Sequence, residues 1–90
     1  MDFKDVVFVR PLSEFKLLLE FEGGEYRLFD FKAYSVSKSG LVEEIASSEY
    51  LFKSVKFDAT GTICWDNDFD LSIEYLYTMS TLLSELSSVI

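Results

Sequence analysis

The chain is 90 residues long and carries sixteen acidic against eight basic side chains, for a net charge of −8, with no histidine and one cysteine. That length holds one domain, 1–90, with one core. The single thiol excludes an internal disulfide, the missing imidazole excludes histidine-based triads and histidine ligation, and the acidity disfavours phosphate backbones and anionic lipid as partners. Nine Phe, five Tyr and one Trp, within a composition that is 49% hydrophobic, supply large buried areas to a small core, at about 150–250 Å² each. They rule out a disordered chain. Residues 1–5 do not read as an export signal, and no apolar run reaches the roughly 18–20 residues of a membrane span, so the expected setting is cytoplasmic.

In chain order, a strand is expected over residues 3–9, ended by Pro11, which cannot donate to a ladder. Residues 14–31 are the best-marked stretch. Phe15, Leu17, Leu19 and Phe21 alternate with Glu14, Lys16, Leu18, Glu20 and Glu22, the period of two of a half-buried strand. Gly23-Gly24 supplies the positive φ values of a tight reversal. A two-residue loop there pairs Phe21 with Tyr26 and Leu19 with Leu28 on one face, and Glu20 with Arg27 and Leu18 with Phe29 on the other. Asp30 and Ser48 are placed to cap short helical turns through 33–34 and 49–52. A second hairpin spans 54–66, with Gly61 in the left-handed position of its turn, Phe57 opposite Ile63 and Val55 opposite Trp65. From Ser72, an N-cap, apolar residues recur at three- and four-residue steps, which predicts a helix to about Leu86. The expected architecture is α+β: an antiparallel sheet of about five strands in two hairpins, packed on a C-terminal helix, with short helical turns in the middle segment.

No chemistry-bearing constellation stands out. Cys64 lies in a predicted strand beside Trp65 without a histidine to deprotonate it, and reads as a buried structural residue. Gly23-Gly24 precedes a strand, where a phosphate-cradling loop precedes a helix. Asp66, Asp68 and Asp70 alternate like the opening of a calcium loop, but the sixth position is Leu71 where such loops need Gly, and the twelfth is Tyr77 where they need Glu. The better reading is a strand-to-helix turn whose side chains bond local backbone donors. The chain is therefore expected to have no catalytic residues, no cofactor and no metal, with those three aspartates as the weak metal candidates.

The strand over 15–21, the Gly23-Gly24 turn, the strand ending in Asp30, the Phe52-x-x-Val55 step, the turn at 58–61 and Trp65-x-Asn67-x-x-Asp70-Leu71 followed by Leu76-Tyr77 resemble the bacterial family called domain of unknown function 2442 (DUF2442). The resemblance covers nearly the whole chain and is most specific over 65–77. There the family shows Trp, Asn, often Gly, then Asp-Leu and Leu-Tyr; here Asp68 or Phe69 stands where the Gly is expected, and Asp tolerates left-handed geometry better than most residues. The resemblance implies an antiparallel sheet packed on a helix. It also implies small accessory domains, some fused to a helix-turn-helix domain and many encoded beside another small protein in pairs that resemble toxin–antitoxin modules. It carries over no catalytic residue.

These readings converge on a non-catalytic protein-interaction or regulatory domain, in its specific form the acidic, antitoxin-like or accessory member of a two-protein bacterial module. Small-ligand or metal binding, and a purely structural role, are the competing readings. Eight scattered basic residues form no stripe, which disfavours direct nucleic-acid binding. In the hairpin register above, Leu18, Phe29 and Phe31 fall opposite the face that one helix covers. With Val89 and Ile90 they form the expected docking surface for a homodimer or a small basic partner protein.

Overall fold

The computed structural model describes residues 5–58 and 61–87. Four strands form the main antiparallel sheet: β1 (Val6–Leu12), β2 (Lys16–Phe21), β3 (Glu25–Asp30) and, from far along the chain, β7 (Thr81–Leu82), in the order β1-β2-β3-β7. A smaller antiparallel sheet holds β4 (Lys56–Phe57), β5 (Ile63–Cys64) and β6 (Asp70–Leu71). Short helices fill the rest: α1 (Phe31–Tyr34), α2 (Leu41–Ala46), α3 (Glu49–Phe52), α4 (Ile73–Met79) and α5 (Leu83–Ser87). The α+β class and the antiparallel sheet are as the sequence predicts; among the described residues, seven short strands in two sheets replace the expected five.

The first hairpin forms where expected but in a different register. Phe21 lies opposite Glu25, Leu19 opposite Arg27 and Leu17 opposite Phe29, so three residues, not two, turn the chain. Gly23 and Gly24 both have φ near +90°, and the Gly24 N–H donates to the Phe21 carbonyl at 3.1 Å. Because side chains alternate with a period of two, this one-residue difference turns β3 over. Phe29 goes into the core with Leu17, Leu19 and Phe21, while Tyr26 goes out to 40% exposure. A phenol that can keep its hydroxyl wet is thereby exchanged for a phenyl ring with nothing to solvate. Phe31 is not in the strand at all: it opens α1 and is fully buried.

The strand β1 runs on through Pro11 because it is the outermost strand, where a missing N–H need break no ladder bond. The expected helical turns form with the expected caps: Asp30 accepts from the Ala33 N–H and Ser48 from the Leu51 N–H, each at 3.1 Å. The helix α2, which carries buried Val42, Ile45 and Ala46 after Gly40 at φ +71°, was not expected. In the second hairpin Phe57 pairs with Ile63 as predicted, and Gly61 is left-handed at φ +87°. Ile63 and Trp65 are buried, whereas Phe57 stays at the rim, 38% exposed.

The predicted long C-terminal helix is broken. Ser72 caps α4 by accepting from the Tyr75 N–H at 3.1 Å, but the helix stops at Met79, Ser80 is extended (φ −84°, ψ 161°), and Thr81–Leu82 join the main sheet beside Leu28 and Arg27. The cause is the open side of β3, whose backbone groups need partners. Arg27 holds the junction. Its Nε donates to the Ser80 hydroxyl at 2.8 Å, its Nη2 to the Ser80 carbonyl at 2.9 Å and its Nη1 to Glu25 at 2.7 Å, with the guanidinium 4.5 Å from the centre of the Tyr77 ring.

Trp65 ties the two sheets together. Its indole N–H donates to the Phe52 carbonyl at 3.0 Å inside the core, and its ring centre lies 5.1 Å from that of Phe31. Replacing Trp65 with Phe should lower stability by about 2–4 kcal/mol in urea unfolding, through the space left by the smaller ring and the loss of the indole bond to the Phe52 carbonyl, which keeps only a 3.4 Å bond from the Val55 N–H. Arg27→Lys keeps the charge but cannot fork between Ser80 and Glu25. It should cost about 1–2 kcal/mol and speed amide exchange at Leu82 more than at Leu19.

Candidate interaction face

Strand pairing places side chains on the outer face of the main sheet in three rows. Phe8, Glu20 and Tyr26 form the first; Arg10, Leu18, Leu28 and Thr81 the second; Leu12, Lys16 and Asp30 the third. Directly opposed residues share a face, so the rows follow from the register. Phe8 is 42% exposed and Tyr26 40%, with Leu12, Leu18 and Leu28 half-buried between them. Four charged residues of both signs are interleaved: Arg10 and Lys16 against Glu20 and Asp30.

At one corner this face runs into a groove of about 400 Å³, where β3 continues past the end of β7. Lys16, Leu28, Asp30 and Thr81 bound it from the sheet, and Tyr34, Tyr75 and Met79 from α1 and α4. The Tyr34 and Tyr75 ring centres are 5.6 Å apart. Burial, and then the neighbouring Tyr75, push the Tyr34 phenol above its ordinary range, so near neutrality it stays a neutral donor.

The expected docking residues divide. Leu18 lies on this outer face. Phe29 and Phe31 do not: at 3% and 0% exposure they belong to the core, because the three-residue turn inverts β3 and the chain leaves the strand at Asp30. Val89 and Ile90 lie outside the described residues. Tyr26 and Leu28, which share the face with Leu18, fall on the opposite face in a two-residue turn, and Phe8 has no face in the sequence reading; the outward alternation of Phe8 with Arg10 and Leu12 is the signal available in sequence.

The Asp66–Asp70 turn is structural in its bonding. Asp66 pairs with the Lys56 ammonium at 2.7 Å, and that hydrogen bond, together with the carboxylate's charge, raises the Lys56 pKa. Both are solvated, so the pair adds little stability. Asn67 fastens the turn to α2: its Nδ2 donates to the Leu41 carbonyl and to Glu44, each at 3.2 Å, and its Oδ1 accepts from the Phe69 N–H. Asp68 takes the left-handed conformation, φ +70°, at the place where Gly or a tolerant substitute was anticipated. Among the described residues no three acidic or thiol side chains converge as a metal site. Cys64 is half-buried in the central strand of the small sheet, between Lys56 and Asp70, less enclosed than expected.

Among the described residues no helix is long and apolar enough to cross a membrane. No curated protein and no solved structure matches the chain. A family model does, over residues 6–81, from the first buried residue of β1 to the start of β7. It takes in both sheets and the Trp65–Tyr77 motif: the chain belongs to the family described as Protein of unknown function (DUF2442).

Proposed function

We propose that this chain is a non-catalytic protein-interaction domain of the bacterial cytoplasm, and that its working surface is the outer face of the four-stranded sheet. The observation that carries this reading is the gathering of Phe8, Leu18, Tyr26 and Leu28 on the face opposite the core, continuous with the Tyr34–Tyr75 groove. Adjoining apolar residues on an exposed face are a common mark of a protein contact. A regulatory role as the acidic member of a two-protein module is the finer form of this reading; the net charge of −8 supports it by favouring a basic partner.

A second reading, a small apolar or aromatic ligand held in the groove, draws support from the paired tyrosines and exposed Met79 that line it. The two readings separate on Leu18, which lies on the sheet face and does not line the groove. Leu18→Glu should keep the far-ultraviolet circular dichroism of the parent and lose any protein partner recovered by affinity purification from native cells. A partner retained by Leu18→Glu would remove the outer face from consideration.

A further inference from the structure

Resting on that interaction reading, we infer that the outer face is closed by a second copy of this chain, related by a twofold axis that crosses the strands along the row of Arg10, Leu18 and Leu28. The charges on the face select this occupant. The chain as a whole carries eight net negative charges, yet the face holds two cations, Arg10 and Lys16, and two anions, Glu20 and Asp30. A strongly basic partner would meet its own sign at half of these positions, whereas a balanced surface can complement itself.

The register then decides which self-pairing works. On β2 the order is Lys16, Leu18, Glu20, all on the outer face. An axis running along β2 would set Glu20 against Glu20 and Lys16 against Lys16. An axis crossing β2 at Leu18 exchanges the outer rows, so Glu20 of each copy meets Lys16 of the other, twice per dimer, with Leu18 on Leu18 and Leu28 on Leu28 between them; the one like-charge meeting, Arg10 on Arg10, falls on the outermost strand, where the exposed side chains can turn to solvent. Phe8 then lies over Leu12 of the other copy. Tyr26 lies over Asp30 and the mouth of the groove, where a phenol can donate to a carboxylate. Lys16 is free to repair in this way, because its present bond is a 3.3 Å contact with exposed Glu14, of the exchangeable kind. Two twisted sheets laid face to face in this sense form an aligned sandwich.

A patch of three short strands and a stub measures roughly 20 Å on a side, which puts it at the small end of protein interfaces. The dimer should therefore be reversible and concentration-dependent. Sedimentation equilibrium over a broad concentration range should show exchange between 10.4 kDa and twice that mass. Lys16→Glu alone and Glu20→Lys alone should each weaken association by about tenfold or more, since each creates two like-charge contacts. Mixing the two single variants should restore parental affinity to within about threefold, because positions 16 and 20 of each copy in that heterodimer again face the opposite charge. Leu18→Glu should be monomeric.

A parent that stays monomeric at its solubility limit would overturn the inference, as would a mixture that associates no better than its components. If the parent is monomeric but a different protein from native cells is lost with Leu18→Glu, self-pairing fails and the interaction reading survives. If that protein is retained, both fail.

Discussion

In a sheet with one buried side, the number of residues in a turn decides which side chains are core. Here the count is three. With Gly23 and Gly24 both at positive φ, Leu17 lies opposite Phe29, and the inner face becomes Leu17, Leu19, Phe21 and Phe29, onto which Phe31, Phe52, Trp65 and Leu76 pack. The alternative register would have buried Tyr26 and exposed Phe29. Each strand offers a workable alternation by itself, so the choice is made by the whole core. The same pairing fills the opposite face with Leu18, Tyr26 and Leu28. The contents of the outer surface are thus fixed by the packing of the inner one.

The features legible in sequence were those set by local chemistry. Asp30, Ser48 and Ser72 cap the helices that follow them, because a short oxygen-bearing side chain before a helix satisfies donors that nothing else reaches. Gly61 sits left-handed in the turn where its freedom is needed, and Asp68 takes the conformation a Gly would have taken. The features that were not legible depend on distant partners. Residues 73–86 keep helical spacing throughout, yet Thr81–Leu82 leave it, because the open side of β3, some fifty residues earlier, needs hydrogen bonds and Arg27 needs the Ser80 carbonyl. Tertiary demand overrides propensity in such short segments. The candidate interaction face was half legible for the same reason: Leu18 follows from the alternation of β2 alone, but Tyr26 and Leu28 follow only once the register of β3 is known.

The most specific stretch of the family pattern has a structural explanation. Trp65 fills the core and bonds the Phe52 carbonyl, Asn67 binds the turn to α2, and Leu71 and Leu76 are buried. These positions weld the small sheet and the middle helices onto the main sheet. Chemistry is not needed to account for them, and the surface proposed for recognition lies on the other side of the molecule's principal sheet.

The outer edge of β1 shapes how copies of such a chain can meet. A bulge between Val6 and Phe8 throws Val7 out of line, and Pro11 further along lacks an N–H. An incoming strand would find its hydrogen-bonding template interrupted near both ends. Growth by lateral strand addition, which has no natural stopping point, is thereby discouraged, and any association of the sheet's apolar residues would have to use its broad side, a geometry that is exhausted once two molecules have met.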